Sequence, residues 1–186
     1  VNQKTFDNLW QTYWLDVQRL GPLTYSRYRL LLAEVPSALP PRPRVLDIGC
    51  GSGAFLRLLL TKAPDALLNG VEISTEAWRA APEELRPRIR NGEIIEVSSQ
   101  FEPGSFDLIV CSEVLEHVPD PAAVLRVIFS LLKPGGAALL TVPGGMQHWS
   151  VQDEVAGHLR RFEFGDFAML LRDCGFVAER QYGWGG

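Results

Sequence analysis

Two groups of residues in this chain are spaced as a binding and reacting site requires. The first lies in Val45 to Phe55, VLDIGCGSGAF, where Asp47 stands two residues ahead of Gly49 and is followed by Gly51 and Gly53. Glycines remove side chains where a backbone must turn sharply and let a ligand come close. A carboxylate beside such a bend disfavours a pyrophosphate, because like charges repel in a partly dry site. It suits a ligand with cationic groups and no phosphate. Glu72 lies 19 residues beyond Gly53, the separation at which an acidic residue at the tip of the second strand accepts from two ribose hydroxyls. Ile73 beside it could lie against an adenine face. The bland alternative for Glu72 is an ordinary surface carboxylate.

The second group is SEVLEHV, Ser112 to Val118. Glu113, Glu116 and His117 fall at i, i+3 and i+4, one face if the segment is helical. Three readings stand side by side. His117 could serve as a general base, with a carboxylate such as Glu113 fixing its tautomer. The three could instead hold a divalent ion that polarises a substrate oxygen, although no metal ligand is assigned on sequence. Or His117 simply orients the turn before Asp120. Cys111 and Ser112 would line the same cleft, unless Cys111 is only a small buried residue. In GHLRRF, residues 157–162, His158, Arg160 and Arg161 could receive an acidic substrate group or form ordinary ion pairs. His148 and Trp149 could wall the substrate space.

These residues need strands and helices to aim them. Arg44–Ile48 reads as a buried strand and Ala54–Lys62 as the helix after the glycine turn, its N-terminus offering free backbone N–H groups. Ala66–Ile73 is a second strand, Ser74–Ala81 a short helix, Glu93–Ser98 a third strand and Phe106–Ser112 a fourth. Asp120 is a good N-cap with Pro121 at the first helical position, opening a helix over Ala122–Leu132. The KPGG turn then leads to a strand at Ala137–Val142. A further helix ends at Gly175, and Val177–Tyr182 reads as a last strand. Strands alternating with helices imply a doubly wound α/β sheet, mostly parallel, with ligands outside the carboxyl ends of its strands. Ahead of it, Phe6, Leu9, Trp10, Tyr13, Trp14 and Val17 make a helical apolar stripe, and a second helix spans Leu23–Val35. Both helices could cover the ligand cleft as a lid, although most of the stripe is expected on the sheet edge. Tyr25, Arg27 and Tyr28, with polar tips, are the better candidates for a lid.

At 186 residues and 46% hydrophobic, the chain is long enough for one domain with a sizeable core. A net charge of −4 gives no electrostatic footprint for nucleic acid. Three widely spaced cysteines argue against a disulfide scaffold and for a reducing, cytoplasmic setting. No apolar run reaches membrane-spanning length.

VLDIGCGSG resembles motif I of the class I S-adenosylmethionine-dependent methyltransferases. FDLIVCSEVLEHVPDP and LLKPGGAALLTVPG resemble the segments after strand four and at strand five of that superfamily. SEVLEHVPDP is similar to small-molecule O-methyltransferases of the ubiquinone-biosynthesis type. The resemblance implies a Rossmann-like methyltransferase fold, S-adenosyl-L-methionine as cofactor and a small-molecule acceptor. It implies cofactor binding by Asp47, Gly49, Cys50, Gly51, Gly53, Glu72, Ile73, Ser99, Cys111 and Ser112, with His117 and Glu113 catalytic. The family often carries an acidic residue after strand three for the adenine amino group, where this chain is expected to offer Ser98, Ser99 and Gln100. The family sheet normally ends in a strand-six/strand-seven hairpin. Here the seventh strand is expected to be missing, giving N-terminal helices over 1–36 and a cofactor domain over 37–186 truncated at its end. Two other classes compete. A non-catalytic module would bind cofactor and transfer nothing. A nicotinamide oxidoreductase would use Gly49-x-Gly51-x-x-Ala54 as a dinucleotide fingerprint, but Asp47 opposes it.

Overall fold

The computed structural model describes residues 3–16 and 21–183. Its sheet has five strands: β1 (Arg44–Ile48), β2 (Leu67–Glu72), β3 (Ile89–Asn91), β4 (Phe106–Ser112) and β5 (Leu132–Thr141). They lie in the order β3-β2-β1-β4-β5 with every pair parallel. The chain reverses its direction of build-up between β1 and β4. In an open parallel sheet that reversal leaves a crevice at the strands' carboxyl ends, and the glycine turn opens into it. Around the sheet stand α1 (Gln3–Leu9, continuing as a π-helical turn over Trp10–Trp14), α2 (Pro22–Glu34), α3 (Ala54–Leu59), α4 (Thr75–Ala80), α5 (Ile94–Val97), α6 (Pro121–Leu131), α7 (Val151–Ala156) and α8 (Phe164–Asp173). Among the described residues no helix is long and apolar enough to cross a membrane.

Alternation along β1 explains how Asp47 is held. Leu46 and Ile48 pack on one face with residues of α5, α6 and α8, and Val45 on the other with α2 and α3. Each such buried side chain contributes about 1.5–3 kcal/mol, and a one-residue slip would exchange the sets on the two faces and misfit both. Asp47 follows Val45's side of the pleat and sits at the end of this fixed register, paired across to Gly70.

The turn after β1 needs its glycines for a steric reason. Gly49 has φ +71°, and a Cβ there would run into Cγ2 of Val114, in the loop after β4. Gly49→Ala is therefore expected to lower unfolding free energy by about 3 kcal/mol, combining left-handed backbone cost with overpacking. Urea denaturation checks this. The double variant Gly49→Ala/Val114→Ala recovers the overlap part but not the backbone part.

Several sequence expectations are corrected. The third strand is Ile89–Asn91, not Glu93–Ser98; Ile94–Val97 is helical. Ile94 and Val97 are buried while Ile95 and Glu96 are exposed, a three-residue spacing that the β-branched run disguised as alternation. Val177–Tyr182 forms no strand. Val177 is 88% exposed, and the segment crosses to α2, where Tyr182 donates to Glu34 at 3.1 Å and Arg180 pairs with it at 3.2 Å. Five strands are therefore present among the described residues. β5 starts at Leu132 and takes in KPGG as an irregularity in its pairing with β4, between Phe106 and Leu108.

The aromatic stripe also lies elsewhere than expected. Phe6 and Trp14 rest edge-on against His117, with ring centroids 5.2 and 5.9 Å away. Asp7 accepts from Ser74 Oγ at 2.8 Å and from the Glu76 amide at 3.2 Å. Thus α1 and its π turn run over the carboxyl ends of the strands rather than along the sheet edge. Val17 falls outside the described residues.

Candidate active site

The glycine turn is fastened to β2 from both sides. The Gly49 and Cys50 amides donate to the Val71 carbonyl, at 2.8 and 3.2 Å. The Gly51 amide donates to Glu72 Oε2 at 2.8 Å and the Ser74 amide to Oε1 at 2.7 Å. Glu72 thereby couples the turn after β1 to the start of α4, and it is buried together with Asp47. From above, α2 brings Arg27, whose Nη1 is 3.7 Å from Glu113 Oε2.

A second cluster forms where the loop after β4 meets the segment after α7. Glu116 is fully buried, and neither of its oxygens has a hydrogen-bond partner among the described residues. Nε2 of His117 and Nε2 of His158 lie 4.0 and 3.9 Å from its Oε1. The other ring nitrogens are engaged: His117 Nδ1 faces the Gly157 carbonyl at 3.3 Å, and His158 Nδ1 faces Asp153 Oδ1 at 2.8 Å. A carbonyl and an ionised carboxylate can only accept, so both Nδ1 atoms carry a proton, and a neutral ring then presents its Nε2 lone pair. One atom from each of Glu116, His117 and His158, all within 4.8 Å of one another, could serve together as a ligand set.

A family model described as "Methyltransferase domain" matches residues 19–181. The chain belongs to this methyltransferase family. A relative named ubiquinone biosynthesis O-methyltransferase, from Ralstonia nicotianae, is 41% identical over 136 residues, 70% of this chain and 56% of that protein. One of the same name from Albidiferax ferrireducens is 40% identical over 98 residues, 50% of this chain and 38% of that protein. The methyltransferase chain thus spans about half the length of the curated relatives it matches. In fold it is similar to a SAM dependent methyltransferase from Archaeoglobus fulgidus, with a TM-score of 0.71 at 21% identity over 90% of this chain and 75% of that one.

Electrostatics separate the two clusters of this methyltransferase domain. Burial, then the neighbouring Glu72, pushes the Asp47 carboxyl up to about 8 against the opposing pull of Arg27. Burial likewise raises Glu72 to about 7, although the Ser74 and Gly51 amides favour its ionised form. Both carboxyls are thus poised to ionise fully when a cation arrives. Glu116 is held well above the carboxylate range by burial and by Glu113. His117 is lowered to about 4, first by burial and then by His158. Asp153 is the opposite case: burial opposes its charge, yet hydrogen bonds from Arg161, Ser150 and His158 hold it well below the usual range.

The remaining expected residues are placed as follows. Cys50 and Cys111 are buried in opposite core clusters, Cys111 as a small buried residue, and burial raises both thiols. Ser112 shares a 2.8 Å hydrogen bond with Thr141, whose hydroxyl lies 2.8 Å from Glu113 Oε1. Glu113 adopts φ +55°, in a turn rather than a helix. Its carboxylate is engaged by Thr141 and Arg27, and the helix that would have put it on one face with Glu116 and His117 does not form. Ile73 is half-buried beside Glu72. Ser99 is exposed on a short 3-10 turn, its Oγ donating to the Glu96 carbonyl at 3.5 Å. The position just after β3 belongs instead to Gly92 and Glu93, which the misplaced strand had hidden. His148 is exposed on a 3-10 turn. Arg161 is paired with Asp153 through Nε at 2.8 Å and Nη2 at 3.0 Å, the ordinary ion-pair reading. His158 is the residue that sequence reasoning left out of the second cluster.

Proposed function

We propose that this methyltransferase domain binds S-adenosylmethionine and passes its methyl group to a hydroxyl of a small-molecule acceptor. The observation that carries the reading is the buried acidic pair Asp47 and Glu72 around a glycine turn. Asp47 receives the methionine ammonium and the field of the sulfonium. Each Glu72 oxygen accepts one backbone N–H and keeps lone-pair capacity for a ribose hydroxyl. Ile73 offers an apolar edge to the adenine, and Glu93, at the end of β3, stands where the adenine amino group would be met. Arg27 is the cation available to the methionine carboxylate. Methyl transfer is an in-line displacement on an already activated carbon, so alignment and exclusion of water supply much of the acceleration. Phe6 and Trp14, resting on His117, close that side of the cleft against solvent.

For the acceptor hydroxyl, a general base near neutrality works best, and His117, lowered to about 4, is a weak one. The convergence of Glu116, His117 and His158 favours a second role. Their donor set of one carboxylate oxygen and two neutral imidazoles suits a divalent cation, and the partnerless Glu116 carboxylate fits that use. Such an ion would polarise an acceptor oxygen and favour its alkoxide form. Glu116, His117 and His158 would hold it, while Glu113 stays with Arg27.

Calorimetric titration with S-adenosylmethionine and its demethylated product tests the cofactor; absence of binding to the folded chain overturns the reading. His117→Ala is expected to leave product affinity within about threefold and to cut transfer to a hydroxyl acceptor by about 100-fold or more. Radiolabelled methyl transfer over a panel of hydroxylated acceptors measures this. Cofactor binding with no transfer to any acceptor would favour the non-catalytic module.

A further inference from the structure

The second cluster is organised by a helix that touches none of the proposed ligands' lone pairs. Helix α7 ends at Gly157 in the left-handed conformation, φ +76°. Its two ends supply both acceptors that engage the histidine Nδ1 atoms: the Gly157 carbonyl at the C-cap for His117 and the Asp153 carboxylate in the first turn for His158. The same segment is tied to the loop after β4 by the Leu159 amide, which donates to the Glu116 carbonyl at 2.8 Å.

Asp153 itself has no rotational freedom. It is 1% exposed. Oδ2 accepts from the Ser150 amide at 2.8 Å, from Ser150 Oγ at 3.0 Å and from Arg161 Nη2 at 3.0 Å. Oδ1 accepts from Arg161 Nε and His158 Nδ1, both at 2.8 Å. Five donors meet two acceptor-only oxygens; three of them are fixed N–H groups, and only the Ser150 hydroxyl and the imidazole can change from donor to acceptor.

We propose that Asp153, clamped by Arg161 and Ser150, is a positioning residue that fixes His158 in its Nδ1–H tautomer and aims a bare Nε2 at Glu116. This rests on the reading of Glu116, His117 and His158 as a divalent-cation site and extends it to the residues that orient it. Partners of this kind set ligand orientation and basicity, and their loss costs about 10–100-fold in metal affinity. The donor count also foretells the effect of Asp153→Asn. The side-chain carbonyl must take the Oδ2 place, where two fixed N–H donors point. The amide NH2 then faces His158 Nδ1 and the one fixed donor on that side, Arg161 Nε; of these two only the imidazole can yield, by moving its proton to Nε2, which removes the lone pair from the cluster.

Long-range 1H–15N correlation spectra of the imidazoles read this directly, with Mn2+ titration as the second readout. In the unsubstituted chain His158 is expected as the neutral Nδ1–H tautomer. In Asp153→Asn it is expected as Nε2–H, with His117 unchanged and Mn2+ bound about 10–100-fold more weakly. An Nε2–H tautomer of His158 in the unsubstituted chain overturns the proposal without any variant being needed. So does an Asp153→Asn chain with unchanged tautomer and unchanged Mn2+ affinity. If the unsubstituted chain shows the Nδ1–H tautomer, switches it in Asp153→Asn and binds no Mn2+, the cation reading fails while the positioning role of Asp153 stands.

Discussion

Glu72→Gln is expected to weaken binding of S-adenosylhomocysteine by about 100-fold while leaving the sheet intact. Two effects add. The amide keeps one acceptor oxygen but turns an N–H group toward either the Gly51 or the Ser74 amide, which now donate at 2.8 and 2.7 Å to a carboxylate. A hydrogen bond to a charged group contributes about 1.5–3 kcal/mol, and a buried donor left unpaired costs a similar amount. The ribose hydroxyls also lose half of their acceptor. The first loss is already present in the free variant and lowers affinity by letting the turn leave its binding position; with the second it is expected to reach about 2.7 kcal/mol, which is a factor of about 100. Calorimetric titration of the variant against the unsubstituted chain measures it, with circular dichroism to establish that the fold persists. Unchanged affinity would show that the nucleoside binds elsewhere, and the assignment of this crevice would fall.

The ligand-free chain is expected to lose about 2 kcal/mol or more of stability between pH 6.5 and pH 8. Asp47 and Glu72 ionise near 3.8 and 4.5 when unfolded and at about 8 and about 7 when folded. Between those values the folded chain binds more protons than the unfolded one. Stability therefore falls as pH rises through the window, at about 1.4 kcal/mol per pH unit for each group still protonated in the fold. His117 works the other way. Its value is lowered from 6.5 to about 4, so its term rises with pH, but only below about 6.5, which is why the window opens there. Asp153, held low by Arg161, Ser150 and His158, is ionised in both states throughout and adds no slope. A cationic ligand reverses the effect, since its charge favours ionised Asp47. Thermal unfolding at pH 6.5 and 8, with and without S-adenosylhomocysteine, should show a falling baseline and a ligand-induced gain that grows with pH. A flat or rising ligand-free profile would mean that Asp47 and Glu72 are already ionised without a ligand.

Residues near one another in sequence carried the first cluster. Strand, turn and helix around Asp47 are dictated locally, because the apolar run marks a buried strand and Gly49 takes the left-handed backbone, φ +71°, that the turn requires. The same holds for β4, whose apolar run is matched residue for residue by Phe106–Ser112, and for α6, started by Asp120 and Pro121. Local reading failed where two periodicities overlapped. Ile94, Ile95 and Val97 satisfy a strand's propensities, yet packing of Ile94 and Val97 into the core made the segment helical. That shift moved the end of β3 to Asn91 and uncovered Glu93.

By itself, then, the sequence determined the strands β1, β2 and β4, the glycine turn and the acidic pair that flanks it, since each depends on chemistry between close neighbours or on a fixed strand length. Which imidazole joins Glu116 was decided only in three dimensions. His117 and His158 are 41 residues apart, leave the sheet from different strands, and meet because Leu159 pairs with the Glu116 backbone and α7 supplies an acceptor to each ring. No spacing rule records such a meeting. It follows from the parallel sheet, which gathers the loops after β4 and β5 at one edge of the crevice and leaves a buried carboxylate between two rings.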